Sequence, residues 1–194
     1  MADGASKREV EIKLALADAE EGARRLRESG FAAIRQRERE LNTLYDWPDG
    51  RLRQQGYALR IRACGGRHAL TFKGQAEAGV HHAREELEVE IADGSLAEQI
   101  LERLGLRAAF RYEKFRTEYQ RAGEEGIATL DETPLGVFLE LEGEPDWIDK
   151  TAADLGFPRA DYILKSYVRL QAEACAARGA ALEDLLFGEH QGFC

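Results

Sequence analysis

Charged and apolar residues alternate in several separate stretches of this chain. Glu9-Val10-Glu11-Ile12-Lys13 comes first. Arg60-Ile61-Arg62, Arg84-Glu85-Glu86-Leu87-Glu88-Val89-Glu90, Lys114-Phe115-Arg116 and Glu140-Leu141-Glu142 follow. A period of two predicts strands, so each stretch sets like charges side by side on one face of a pleat. On an ordinary solvated face such neighbours repel, and mixed signs are favoured. Clustered carboxylates beside clustered Lys and Arg suit another task. Carboxylates hold divalent cations, and Arg and Lys hold phosphate oxygens. An antiparallel sheet with one wet face is the plainer alternative.

The other parity of these strands is apolar: Val10, Ile12 and Leu14; Leu59 and Ile61; Leu70 and Phe72; Leu87, Val89 and Ile91; Val137, Leu139 and Leu141. Amphipathic helices must cover apolar faces. Leu87, Val89 and Ile91 are therefore expected under helices, with Glu86, Glu88 and Glu90 lining a polar lumen. Closing the sheet removes its edges.

The pattern predicts strands over 8–16, 31–47, 57–64, 68–74, 80–92, 107–121, 127–132 and 137–143. Asp18 is the expected N-cap of a helix to about Glu28, stopped at Gly30. Ser95 is the expected cap of a helix over 96–104 with a stripe of Leu96, Ile100, Leu101 and Leu104. Pro48-Asp49-Gly50 reads as a turn, and Gly65-Gly66 as a hairpin turn. Helices are expected over 146–155, 160–177 and 182–187. Strands and one helix, then strands and one helix again, describe a pseudo-duplicated single barrel of α+β class. It is read as one domain over 1–194, with a core of 8–170 and a helical extension of 171–194.

Composition narrows the chemistry. At 194 residues the chain can bury a real core. A net charge of −9 and a pI near 5.1 argue against a nucleic-acid surface. No apolar run is long enough to span a membrane. The first residues lack the apolar segment of a signal peptide. Cys64, Cys175 and Cys194 show no disulfide or metal spacing, which fits a reduced cytoplasmic protein. Only six lysines stand against 21 arginines, and four of the six fall in the charged stretches or near their ends. A compact point charge is what such positions would select.

Several conspicuous residues have plain explanations. His81 and His82 face opposite ways on a strand, so they cannot share a metal as neighbours. Trp47 and Trp147 read as packing anchors rather than a ring clamp. Cys64 reads as inert. Residues 35–40 are either a solvated strand or a basic rim that steers polyanions. Residues 176–187 read as a helical lid or an interface.

Taken together, the motifs resemble the CYTH family, the triphosphate tunnel metalloenzymes. Glu9-x-Glu11-x-Lys13 is similar to that family's N-terminal signature. Tyr45-Asp46-x-Pro48-Asp49-Gly50, Ala58-Leu59-Arg60-Ile61-Arg62, Leu70-Thr71-Phe72-Lys73-Gly74 and Arg84-x-Glu86-x-Glu88 follow in family order. So do Lys114-x-Arg116-x-x-Tyr119, Leu130-Asp131-Glu132 with Leu135-Gly136, Glu140-x-Glu142 and Lys165-Ser166-Tyr167. The resemblance implies an eight-stranded antiparallel tunnel with a charged lumen, helices outside, and Mg²⁺ or Mn²⁺ at work. It implies that Lys13, Arg60, Arg62, Lys73, Arg84, Lys114, Arg116 and Lys165 grip phosphate oxygens, Lys165 from a helix that plugs one end. Glu9, Glu11, Glu140 and Glu142 would hold metal, with Glu86 and Glu88 as further ligands or water organisers. Lys73, Lys114, Lys165 and Glu88 would be the catalytic residues.

Three functions compete: a metal-dependent triphosphatase, a class IV adenylate cyclase, and a non-enzymatic polyphosphate or nucleotide binder. The family's cyclases carry a His-Gln-x-Asp-Thr-Tyr-Phe-like second strand and a Lys-Leu-Arg in the third. Here the second strand reads Leu41-Asn42-Thr43-Leu44-Tyr45-Asp46-Trp47 and the third Leu59-Arg60-Ile61-Arg62. Both are similar to the triphosphatase branch, although Trp47 replaces the usual Thr. The expected substrate is a small triphosphate (inorganic, thiamine or nucleoside), with inorganic triphosphate ahead of ATP. The expected partners include no nucleic acid and no membrane, and the expected state is a monomer or homodimer.

Overall fold

The computed structural model describes residues 7–188; Cys194 and the N-terminal residues 1–6 lie outside them. The chain runs β1 (Lys7–Leu16), α1 (Ala19–Glu28), β2 (Phe31–Asp46), α2 (Arg51–Gln54), β3 (Ala58–Cys64), β4 (Arg67–Lys73) and β5 (His82–Ile91). It continues α3 (Gly94–Arg103), β6 (Arg107–Arg121), β7 (Ile127–Thr133), β8 (Gly136–Glu142), α4 (Pro145–Asp154) and α5 (Tyr167–Ala177). The eight strands close into one barrel in the order β1-β5-β4-β3-β2-β6-β7-β8. Every neighbouring pair is antiparallel.

Local chemistry sets the joints. The Asp18 side chain accepts the Glu21 N–H and starts α1, and Gly30 takes φ +83° just past its end. Gly65 and Gly66 both have positive φ, which a two-residue turn matched to the strand twist requires.

The apolar parity faces outward, and on β1, β8, β2 and β3 helices cover it. Val10, Ile12 and Leu14 of β1 and Leu139 and Leu141 of β8 pack with Leu26 of α1 and with Ile148 and Ala152 of α4. Ile61 of β3 and Tyr45 of β2 pack with Leu101 of α3. α1 sits so close that a Cβ on Gly22 would lie 2.6 Å from Leu16 Cδ1. Leu141 is fully buried here, so Leu141→Ala is expected to cost about 2–5 kcal/mol. Urea unfolding with an unchanged slope checks it; a loss under 1 kcal/mol would contradict the helix-covered wall.

Several boundaries differ from the sequence reading. Leu87 and Val89 are not under a helix; they are 42% and 56% exposed. The single ten-residue helix after β5 packs against β3 instead, so it reaches Ile91 but not the rest of β5. Strand β5 begins at His82, after an exposed Val80. Asp93, not Ser95, caps α3, by accepting the Leu96 N–H. The short helix α2 was not foreseen. It forms because the buried Asp46 carboxylate accepts the N–H groups of Trp47, Leu52 and Arg53. The expected helix over 160–177 is broken: Ile163 bridges to Lys13 of β1, and α5 starts only at Tyr167. Residues 182–187 are not helical. Leu185 lies parallel to Tyr112, exchanging backbone hydrogen bonds with Arg111 and Glu113 on a stretch of β6 that β7 does not reach.

Candidate active site

The charged parity faces inward. Strand register brings residues far apart in sequence to one level: Glu9 stands opposite Arg84, Glu11 opposite Glu142, Lys13 opposite Glu140, and Lys73 opposite Glu86. Directly opposed residues share a face. The lumen they form is a cavity of about 1090 Å³. At the end where β2 finishes and β3 begins it is lined by Arg53 of α2 and by residues 164–168 at the start of α5. A smaller cavity of about 140 Å³ opens beyond, towards the β3–β4 hairpin, and shares Arg62 and Glu88 with the first.

Ion pairs organise the wall. Lys73 Nζ donates to both oxygens of Glu9 at 2.8 Å and approaches Glu86 at 2.7 Å. Arg84 Nε donates to Glu9 at 3.2 Å. Lys13 reaches Glu11 at 3.0 Å and Glu140 at 3.3 Å. Arg62 reaches Glu88 at 2.9 Å, Arg60 reaches it at 3.5 Å, and the Thr71 hydroxyl donates to it at 2.7 Å. Lys114 and Arg116 both bind the fully buried Asp131, and Arg116 also binds Glu140. Glu142 sits nearer solvent and pairs with Lys7 at 2.6 Å.

Burial and charge pull the titrations in opposite directions. Burial pushes the Glu140 carboxyl up, but Lys13, Lys114 and Arg116 hold it well below the usual range. For Glu40 burial again opposes, and Lys114, Arg116, Arg62 and Arg60 prevail, drawing it down to about 2. Burial works against a charged Lys13, and Glu11 and Glu140 more than offset it, so its pKa is raised. The Tyr167 phenol is pushed well up by burial and by Asp131 and Glu140, and donates to Asp131 at 2.9 Å. Acids with depressed pKa contribute stability above their unfolded value, and that stability is lost as pH falls through the folded value. The free protein should therefore lose thermal stability from about pH 4.5 down towards 2, the window set by Glu40. Glu40→Gln should flatten that part of a Tm-against-pH curve; an unaltered slope would contradict the assignment.

The barrel gathers Glu9, Glu11, Lys13, Arg60, Arg62, Lys73, Arg84, Glu86, Glu88, Lys114, Arg116, Glu140 and Glu142 around one cavity. Lys165 differs. It lies ahead of α5 at the rim, half exposed, and its ammonium pairs with Glu173 at 2.6 Å. Tyr167 is the residue that enters from that end. Glu90 lines only the smaller cavity. Asp131, Glu40, Asn42, Thr71 and Tyr112 were not singled out. Asp131 stood within a quoted motif, and its pairing opposite Arg116 was the missing signal. Glu40 was hidden in the charged run 35–40. There Arg37 and Arg39 pair outside with Glu132 and Glu113, Arg35 pairs with the lumen-lining Glu118, and Glu40 turns inward.

The side residues behave as packing chemistry predicts. His81 binds Asp149 at 2.9 Å and His82 lines the lumen, on opposite faces. Trp47 packs beside α3 under Arg51, and Trp147 packs against Gly126 and Phe31. Burial and Glu38 push the Cys64 thiol pKa up, away from the nucleophilic thiolate.

The donor set suits a hard divalent cation. Glu11 and Glu142 are like charges directly opposed on adjacent strands, and Glu9 and Glu140 add repulsion at Glu11 that burial compounds and Lys13 and Lys73 outweigh in the free protein. A cation relieves that repulsion. Among the described residues no three ligating side chains form a ready cage. Mg²⁺-type ions need only one or two carboxylates, and take the rest of their shell from water and phosphate.

The CYTH domain model matches residues 7–167. This chain belongs to the CYTH family. CYTH enzymes are triphosphatases or adenylate cyclases that work with divalent metals. "Putative adenylate cyclase MJ0240" of Methanocaldococcus jannaschii is 31% identical, over 84% of this chain and 98% of its own length. The PH1819 protein of Pyrococcus horikoshii OT3 superposes with a TM-score of 0.72 at 30% identity, covering 86% of this chain and 99% of that one. "Putative adenylyl cyclase HpAC1" of Hippeastrum, which has a dominant triphosphatase activity, superposes with a TM-score of 0.60 at 20% identity, covering 92% of this chain and 98% of that one. No helix among the described residues is long and apolar enough to cross a membrane.

Proposed function

We propose that this CYTH protein is a triphosphatase, dependent on Mg²⁺ or Mn²⁺, that hydrolyses a small triphosphate inside its barrel. One observation carries the reading. Lys13, Arg60, Arg62, Lys73, Arg84, Lys114 and Arg116 face a single cavity, interleaved with carboxylates at ion-pair distance. Phosphoryl transfer is mostly positioning and neutralisation of charge, so such a cage needs no covalent nucleophile. In this reading a phosphate chain takes over the Lys and Arg groups. Glu9, Glu11, Glu140 and Glu142 then hold the metal, and Glu88, fixed by Thr71 and the two arginines, orients water. Lys73 and Lys114 neutralise the developing charge. Lys165 joins only by leaving Glu173.

The metal supplies Lewis-acid activation of the chain when bound. The partner is a small molecule rather than nucleic acid or membrane, with the protein acting in the cytoplasm as a monomer or homodimer. Inorganic triphosphate is expected ahead of ATP, because the lumen groups address phosphate oxygens and an added nucleoside gains little.

Cyclic AMP synthesis is the second reading. The relatives' names favour it, and the cavity is roomier than a triphosphate needs. Phosphate release and cyclic AMP formation, each measured from inorganic triphosphate, thiamine triphosphate and ATP with both metals, separate the two. Cyclic AMP from ATP with negligible phosphate from triphosphate would reverse the assignment.

A further inference from the structure

We propose that Asn42 is a substrate-contact residue whose side-chain amide hydrogen-bonds the phosphate chain seated among Arg60, Arg62 and Lys114. This rests on the reading of the lumen as a triphosphate site. Asn42 lies in the middle of β2 with no exposed surface. Neither its Oδ1 nor its Nδ2 has a hydrogen-bond partner among the described residues. Burying an amide in that condition is unfavourable, and native proteins rarely do so without a use for it.

Register fixes which way it faces. Asn42 is directly opposite Arg62 on β3 and Tyr112 on β6. Both of those line the cavity, so Asn42 lies on the lumen-facing side of β2 between them, covered by its neighbours rather than open to the cavity. Unused hydrogen-bonding capacity is concentrated there. Glu40 Oε2, two residues along the same strand face, and Nε of the buried Arg60 also lack hydrogen-bond partners among the described residues. Lys114, opposite Glu40, lies 3.7 Å from that carboxylate.

The chemistry of a carboxamide suits the place. It offers two N–H donors and an acceptor without charge. Its N–H groups can donate to a non-bridging phosphate oxygen, while Oδ1 accepts from a guanidinium or from a metal-bound water. A leucine of similar size would fill the volume and leave no orphaned polar atom. Retaining asparagine therefore exchanges stability for binding.

That exchange is measurable. Wild type, Asn42→Leu and Asn42→Ala are melted with and without inorganic tripolyphosphate, and the affinity for tripolyphosphate is measured calorimetrically in chelator. Asn42→Leu is expected to melt at or above the wild-type Tm when free, yet to bind tripolyphosphate about 10- to 100-fold more weakly. Asn42→Ala should bind as weakly, whatever its Tm, and both should show a smaller ligand-induced rise in Tm. Wild-type affinity in both variants overturns the proposal. So does a lowered Tm with unchanged affinity, which would make the amide purely structural. A wild-type protein that fails to bind tripolyphosphate removes the triphosphate reading itself, and Asn42 with it.

Discussion

Replacing Glu140 by glutamine should abolish turnover while leaving the triphosphate bound. Glu140 is buried against Lys13 and Arg116 and is held ionised by Lys13, Lys114 and Arg116. It shares its strand with Glu142, which stands opposite Glu11. The amide keeps the shape but removes the charge that a divalent cation needs. The anion grip is built from lysines and arginines and survives, because two of its members merely lose a competing carboxylate. Loss of metal-assisted activation should bring kcat to background, with Kd for tripolyphosphate unchanged or lower. Glu142→Gln should act in the same direction. Full activity in either variant, or activity undiminished by chelator, would count decisively against a metal mechanism. A melting curve guards against misreading, since Arg116 retains Asp131 and the barrel should stay folded.

The second large effect is expected at the grip. Lys73→Met and Arg62→Ala should each lower kcat/KM by roughly 10²-fold or more, equivalent to ~3 kcal/mol of charge-assisted contact in the transition state. Lys73 is 2.8 Å from Glu9 and 2.7 Å from Glu86. Its removal therefore also takes the nearest cation from two lumen carboxylates, leaving Glu9 with Arg84 at 3.2 Å and Glu86 with Arg60 at 4.0 Å. Arg62 is different, because it also lines the smaller cavity and pairs with Glu88 at 2.9 Å. Its loss should fall on kcat as much as on KM if Glu88 organises the water. Steady-state kinetics with inorganic triphosphate decide this. Near-wild-type kcat/KM for Lys73→Met would remove that lysine from the phosphate-binding set.

Much of this site was legible in the chain. Period-two alternation placed Glu9, Glu11 and Lys13, or Arg60 and Arg62, on one face, because successive strand residues point to opposite sides. The apolar parity at Ile12, Leu14, Leu139 and Leu141 then required helices outside, and the charges had to go in. Turn chemistry was equally local: Gly65-Gly66 and Asp18 carry their own geometry. These are properties of neighbours in sequence, and they survive without knowledge of the rest of the molecule.

What the sequence could not determine depends on pairing between distant segments. Asp131 becomes the anchor of Lys114 and Arg116 only because β7 lies against β6 in one register. Glu40 faces the lumen while Arg37 and Arg39 face out because strand residues alternate and a register shift between Arg35 and Glu38 resets that alternation against β6. The apolar stripe of β5 looked identical to that of β1, yet Leu87 and Val89 stay exposed because α3 lies across β3. The terminal segment around Leu185 reads as helix locally, but the free backbone groups of Arg111 and Glu113 draw it out as an extended strap. The chain by itself determined which face is charged, where the turns fall and which residue types line the lumen. Tertiary structure alone decided which charges meet, which apolar faces are covered and where Asn42 is enclosed, since those follow from contacts that no local pattern encodes.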